Sequence, residues 1–92
     1  MKKNKILIIG GSSGLGLFLT DLYLKNKYKV TSLSRKMNLK IHKSVKQIIC
    51  DVSDSTKLKI TLDEFKKKKI YFDIVVHNVG GSGKIYDHSA NG

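Results

Sequence analysis

The sequence predicts an α/β fold built on a parallel sheet. Three observations predict it: short apolar runs that suit buried strands, two segments with helical spacing, and a glycine-rich turn between the first strand and the first helix. The elements follow one another as strand, helix, strand, short connection, strand, helix and strand. Alternation of this kind is typical of parallel strands joined by right-handed crossovers, and it matches the first half of a doubly wound sheet.

The first half of the chain contains three predicted strands and one helix. Residues 5–9 form a continuous apolar run, which suits a strand buried on both faces. Residues 14–27 have helical spacing, residues 28–34 alternate and are rich in strand formers, and residues 45–50 form a third strand. On the helix, spacings of three and four residues place one set of apolar side chains on a common face: Leu15, Phe18, Leu19, Leu22 and Tyr23.

The second half contains a helix, a strand and a tail. Residues 53–56 offer several helix N-cap candidates, and Leu58, Leu62 and Phe65 mark the apolar stripe of the helix that follows. The fourth strand is predicted at residues 73–77. The tail from Gly80 onward is polar, contains glycine and lacks a period, so we expect a loop.

Composition limits the classes of function. The chain has 92 residues and a net charge of +11, which comes from 17 lysines and a single arginine, Arg35. The lysines are dispersed, and the one dense run, residues 66–69, ends a predicted helix, where cations favour the helix dipole. A basic nucleic-acid-binding protein is therefore only a third hypothesis. No apolar run can span a bilayer, and the single cysteine, Cys50, cannot form an internal disulfide, so we expect a cytoplasmic protein without a membrane partner.

The glycine-rich turn is the strongest functional signal. Gly10, Gly11, Gly14 and Gly16 lie where the first strand passes into the first helix. Glycines there let the backbone turn sharply, approach a pyrophosphate and present free N–H groups from a helix N-terminus. The segment therefore predicts a cofactor-binding loop, and the candidate ligands of the pyrophosphate are Gly10, Ser12, Ser13, Gly14, Leu15 and Gly16. The alternative is a plain strand-to-helix turn.

The spacing Gly10-x-x-x-Gly14-x-Gly16 resembles the glycine motif of the short-chain dehydrogenase/reductase family, although Ile9 stands where that motif begins with threonine. The resemblance covers the chain from Lys5 to about Gly81. It implies a Rossmann-like, partial doubly wound sheet of four strands in the order 3-2-1-4, with two main helices. It also implies a dinucleotide cofactor as the binding partner.

The resemblance extends to the end of the second strand. In NAD-binding domains an acidic residue about 20 positions past the glycines holds the ribose hydroxyls. This chain has Ser34 and Arg35 there instead. By resemblance the pair implies NADP rather than NAD, with the guanidinium of Arg35 facing the 2′-phosphate. The alternative is an ordinary solvated arginine.

Two further matches follow the third and fourth strands. Asp51 and Val52 are similar to the family's Asp-Val pair, whose aspartate contacts the adenine; the alternative for Asp51 is a helix cap. Asn78 and Gly80 keep their places in the family's Asn-Asn-Ala-Gly motif, in which His77 and Val79 replace the other two residues.

The resemblance also implies a domain division and an activity. Residues 1–80 are the NAD(P)-binding half-domain, and residues 81–92 a loop or truncated tail. Members of the family are oxidoreductases that transfer hydride between NADP(H) or NAD(H) and a carbonyl or alcohol. Their catalytic serine and Tyr-x-x-x-Lys lie beyond the fourth strand, so we expect no catalytic residue and no metal ligand in this chain.

Two hypotheses follow, a reductase fragment that keeps its NADP-binding half and a stand-alone nucleotide-binding or regulatory module. With no strand expected after the fourth, we also expect that strand to be an exposed edge, open to a second copy or a partner chain.

Overall fold

A computed structural model describes residues 4–11, 14–79 and 82–87. In chain order the elements are β1 (Lys5–Ile9), α1 (Gly14–Lys25), β2 (Lys29–Ser34), β3 (Lys46–Ile49), α2 (Ser55–Lys67), β4 (Ile74–Val79) and β5 (Ser82–Asp87). They form one five-stranded sheet in the order β3-β2-β1-β4-β5. The strands β1 to β4 are parallel, and β5 is antiparallel to β4. The predicted order 3-2-1-4 of the parallel strands is therefore confirmed.

The central strand β1 is buried on both faces, as its apolar run predicts. Ile6 and Ile8 pack into the core cluster on one side of the sheet, and Leu7 and Ile9 into the cluster on the other. All four side chains are at most 2% exposed. Because successive side chains of a strand point to opposite faces, this single strand contributes to the apolar core on both sides of the sheet.

The helix α1 presents to the core a face that agrees only in part with the predicted one, since Leu19 and Tyr23 of the five predicted residues pack against the core. Leu15, Phe18 and Leu22 are exposed, whereas Gly16 and Thr20 are the buried residues of the helix. The helix approaches the end of β1 so closely that a β-carbon on Gly16 would meet the carbonyl oxygen of Gly10. Small residues therefore occupy the line of contact. Larger apolar side chains pack on either side of it: Leu17, Leu19, Tyr23 and Leu24.

The crossover from β2 to β3 contains no helix. Ile41 and Val45 from this segment are buried in the same cluster as Ile6 and Ile8, so they cover part of the face that a crossover helix would cover in a doubly wound fold. Gln47 braces the segment: its Oε1 accepts the Asn38 N–H at 2.9 Å and its Nε2 donates to the Asn38 carbonyl at 3.0 Å. The first residues of the crossover, including Arg35, consequently follow β2 in a defined turn.

The helix α2 covers the opposite face and begins at a clear N-cap. Asp54 accepts the N–H groups of Thr56 and Lys57 at 3.0 and 3.2 Å. Leu58 and Phe65 are buried against β1 and β2, and Leu62 is partly buried beside them, as the predicted stripe requires. Lys66 and Lys67 lie in the last turn, where their charges favour the helix dipole.

The expectation of a loop in the tail was wrong for Ser82–Asp87, which form β5. The strand pairs with β4 from Val79↔Ser82 to Ile74↔Asp87, so β4 is hydrogen-bonded on both sides and is not an exposed edge. The physical reason is that unpaired N–H and C=O groups of β4 gain partners within the chain. A Gly-Gly pair, Gly80-Gly81, stands between the two strands in the sequence, and such a pair is a two-residue hairpin signal.

None of the described helices combines the length and the apolar character that crossing a membrane requires.

Candidate functional site

The glycine turn after β1 is tightly packed against β2 and β4. Gly10 has a φ of 89°, and its N–H donates to the Leu33 carbonyl at 2.6 Å. A β-carbon on Gly10 would meet the backbone carbonyl of Asn78. Only glycine satisfies both the positive φ and this close approach.

Side-chain hydrogen bonds hold the turn from the helix and from β4. The Thr20 hydroxyl donates to the Gly16 carbonyl at 2.8 Å and lies 3.4 Å from the Gly11 carbonyl. The Asn78 side-chain amide donates to the Gly10 carbonyl at 3.5 Å. Asn78 therefore helps to position the turn, in addition to lying at the predicted site.

Gly14 differs from the other glycines of the turn because it faces open space. It is the first residue of α1 and has a φ of 56°, yet a β-carbon there would meet no described heavy atom within 4 Å beyond its chain neighbours and the backbone of its own helix. The N–H groups of a helix's first turn have no partners inside the helix. Free N–H groups beside a residue without a side chain suit the close approach of a pyrophosphate. Leu15 lies next to it and is half exposed.

The end of β2 places a cation at the same edge of the sheet. Ser34 is buried, and its hydroxyl donates to the Lys36 carbonyl at 2.8 Å. Arg35, between them, is exposed. The Ser34 hydroxyl thus shapes the turn that presents the guanidinium.

The end of β3 holds a fixed carboxylate. Asp51 Oδ1 accepts the Ser53 hydroxyl at 2.6 Å and the Ser53 N–H at 3.2 Å. The hydrogen bond from the Ser53 side chain is the main cause that lowers the pKa of Asp51. Desolvation opposes it, and the Ser53 N–H and the charges of Arg35 and Lys57 add to the lowering. Asp51 is therefore ionised at neutral pH. The helix-cap alternative for Asp51 does not hold, because Asp54 caps α2.

Arg35 and Asp51 share an open cavity of about 550 Å³ at the carboxyl ends of β2 and β3. The remaining lining residues are Ile49, Cys50, Lys57, Ile60 and Thr61. Lys57 is not among the residues predicted from the sequence, although one signal is present there: a lysine in the first turn of a helix is unfavourable for the helix dipole. Val52, the neighbour of Asp51, packs against the core cluster under α2.

The predicted site residues therefore lie along one edge, in two groups. The first group forms or contacts the glycine turn and comprises Gly10, Gly14, Leu15, Gly16 and Asn78. The second group lines the cavity and comprises Arg35 and Asp51. Ser12, Ser13 and Gly80 lie outside the described residues. Within the described ranges, no three histidine, cysteine or acidic side chains come together as metal ligands.

A parallel sheet in the order 3-2-1-4, with a glycine-rich turn between β1 and α1, defines a Rossmann-like domain of the nucleotide-binding class. The family model for short chain dehydrogenases matches residues 4–91. The chain belongs to this family.

Comparisons with individual proteins are consistent with membership of this family. The chain is 34% identical over 77 residues to a "Probable short-chain type dehydrogenase/reductase VdlC" of Helicobacter pylori; the match covers 80% of this chain and 28% of that protein. A short chain dehydrogenase of Leptospira borgpetersenii, crystallised with bound NAD+, superposes with a TM-score of 0.68 at 21% identity, over 82% of this chain and 30% of the other. A short-chain dehydrogenase/reductase of Burkholderia vietnamiensis gives 0.62 at 18%, over 88% and 37%.

The chain thus spans about a third of the length of these relatives. The two solved structures establish the fold.

Proposed function

We propose that this chain binds NADP(H) as the cofactor-binding part of a short-chain oxidoreductase that acts on a carbonyl or alcohol. The observation that supports the proposal most strongly is the glycine turn at the start of α1, where the β-carbon position of Gly14 is open, at the same edge of the sheet as Arg35. In this proposal residues 1–80 make up the binding half of the domain. The bound nicotinamide would supply the hydride acceptor or donor.

Each predicted residue has a place in the proposed complex. The turn would bind the pyrophosphate through Gly10, Gly14, Leu15 and Gly16, with Ser12 and Ser13 as added hydroxyl donors. Arg35 would face the ribose that carries the 2′-phosphate, from the turn that Ser34 shapes, and Asp51 would face the adenine, with Val52 packed beneath it. Asn78 and Gly80 would lie near the segment after the pyrophosphate.

The choice of NADP over NAD depends on Arg35. It is exposed at the end of β2, where NAD-binding domains carry an acid. A charge-assisted contact to the 2′-phosphate contributes about 1.5–3 kcal/mol, which corresponds to about 10- to 150-fold in affinity. The Leptospira relative was crystallised with NAD+, so cofactor choice in this chain has to be measured directly.

Calorimetry with both cofactors tests the proposal. We expect the wild-type chain to bind NADP more tightly than NAD, and Arg35→Asp to weaken NADP binding while sparing NAD. Lys43→Asp is the control, because it makes the same charge change at another exposed position of the β2–β3 crossover. Equal affinity of the wild-type chain for the two cofactors, or tighter binding of NAD, contradicts the choice of NADP.

A second candidate is a nucleotide-binding module that works without turnover. Its support is the pairing of β5 with β4, which supplies the outer neighbour of β4 from within this chain. Both candidates predict that this chain binds the cofactor without turnover, so a downstream reading frame that encodes Tyr-x-x-x-Lys favours the fragment over the module. Hydride transfer by the chain itself rules the module out. A buried free thiol at Cys50 supports a reducing, cytoplasmic location for either candidate.

A further inference from the structure

The cavity at the ends of β2 and β3 contains two cations and one anion. Arg35 enters it from the turn after β2, and Lys57 from the first turn of α2. Asp51 lines it with them, and its carboxylate is held in place by two hydrogen bonds from Ser53. The charges of the cavity sum to a net positive value, so it attracts an anion in addition to balancing Asp51.

The position of Lys57 opposes the local rules of helix stability. It stands three residues after the N-cap Asp54, which accepts its backbone N–H at 3.2 Å, and the first turn of α2 contains no acidic residue. The positive end of the helix dipole repels a cation at this point. Departures from local preference of this kind concentrate at functional sites.

Lys57 and Arg35 approach the cavity from separate elements. One dianionic group between them would be contacted from two directions, which is the arrangement that a phosphate monoester requires and a ribose hydroxyl does not. The lining of the cavity also includes Ile49 and Ile60, whose exposed side chains offer no competing negative charge.

We propose that Lys57 is a second specificity-determining residue, which selects the 2′-phosphate of NADP together with Arg35. The inference rests on the proposed function, since it assumes that the cofactor's adenosine end lies beside Arg35 and Asp51. The positive charge of Lys57 also offsets the negative charge of the Asp51 carboxylate, which would otherwise repel the phosphate. NAD has only a hydroxyl at this position and gains nothing from the second cation.

The test compares Lys57→Gln with Lys59→Gln and Arg35→Gln. Lys59 is the matched control, because it is exposed on the same helix but does not line the cavity. Affinities are measured by calorimetry for NADP and NAD, and for the fragments adenosine 2′,5′-bisphosphate and AMP, with circular dichroism as the check of folding.

We expect Lys57→Gln to weaken binding of both 2′-phosphorylated ligands by about 3- to 10-fold, in the range of exposed charge-assisted contacts, and to leave NAD and AMP unchanged. The effect should shrink as salt is added, because the contact is exposed. Lys59→Gln should leave all four affinities unchanged.

The outcomes separate the two proposals. If the wild-type chain prefers NADP, and Arg35→Gln removes the preference while Lys57→Gln does not, only the role of Lys57 is overturned. An equal loss for NADP and NAD in Lys57→Gln also overturns it, because it would show general attraction without selection. If the folded wild-type chain binds neither cofactor, or binds NAD as tightly as NADP, the proposed function fails first and this inference with it.

Discussion

Substitutions at Gly14 and Gly16 should separate cofactor binding from folding, although the two glycines are two residues apart. At Gly14 a β-carbon meets no described heavy atom within 4 Å beyond its chain neighbours and its own helix backbone, and the cost to the fold comes from the φ of 56°. A left-handed conformation costs an L-residue roughly 1–2 kcal/mol, and Gly→Ala recovers about 0.4–1 kcal/mol by restricting the unfolded chain. The net loss for Gly14→Ala is therefore about 1 kcal/mol, or about 4–8 °C in Tm for a domain of this size.

At Gly16 the cost of a substitution comes from a steric contact instead of from the backbone conformation. A β-carbon there meets the carbonyl oxygen of Gly10, and both groups belong to the backbone, so no rotamer change relieves the contact. We expect Gly16→Ala to lose clearly more stability than Gly14→Ala, beyond the roughly 1–3 kcal/mol of ordinary overpacking. Urea unfolding followed by circular dichroism measures both losses.

Among folded variants, Gly14→Ala should weaken cofactor binding more than Gly16→Ala does, although it costs less stability. The methyl group of Gly14→Ala occupies the space proposed for the pyrophosphate, and loss of one charge-assisted contact there weakens NADP binding by about 10- to 150-fold. Gly14→Asn is the companion variant, because asparagine tolerates positive φ and so reduces the strain while still filling the space. If both variants fold and bind NADP as the wild-type chain does, the turn has no part in binding. If Gly14→Ala unfolds as readily as Gly16→Ala, the description of the open space is wrong.

Two further predictions concern the stability of the fold. Ser32 is fully buried in β2, and its hydroxyl has no hydrogen-bond partner among the described residues. Ser32→Ala should therefore leave the free energy of unfolding unchanged or raise it by about 1 kcal/mol. A decrease of more than about 1 kcal/mol in urea unfolding would mean that the hydroxyl is hydrogen-bonded. Asp54→Ala removes the N-cap of α2 and should lower the free energy of unfolding by about 1 kcal/mol, whereas the exposed Asp63→Ala on the same helix should change it by less than about 0.5 kcal/mol. Equal losses for the two aspartate variants in thermal unfolding would contradict the capping role.

The sequence was sufficient for the four parallel strands and for the edge at which the candidate site residues lie, but not for β5. A continuous apolar run such as Lys5–Ile9 suits only a strand covered on both faces, and glycines directly after it indicate a turn that must approach other backbone. Because parallel strands end at a common edge, the order of the elements along the chain is enough to place the residues after β2 and β3 beside the glycine turn.

Periodicity alone could not predict which face of α1 is buried. The period shows that Leu15, Phe18 and Leu22 share a side, but the distance between helix and sheet decides which side is buried. Here that distance is so short that Gly16 and Thr20 form the contact. Lys57 was missed for a related reason: it reaches the cavity of Arg35 only through the packing of α2 on the sheet.

The central position of β1 determines when the site can form during synthesis. β1 is the first strand along the chain, but one of its two neighbours, β4, begins only at Ile74, and the amide of Lys5 donates to a side chain 68 residues away, Asp73. About 40 residues separate the end of β2 from the start of β4, which a ribosome adds in roughly 2–8 s. During that interval one edge of β1 has no partner, and the carbonyl of Gly10 lacks its bond from Asn78. The nascent chain thus passes through a stage in which β1 is an open edge and the glycine turn is incomplete.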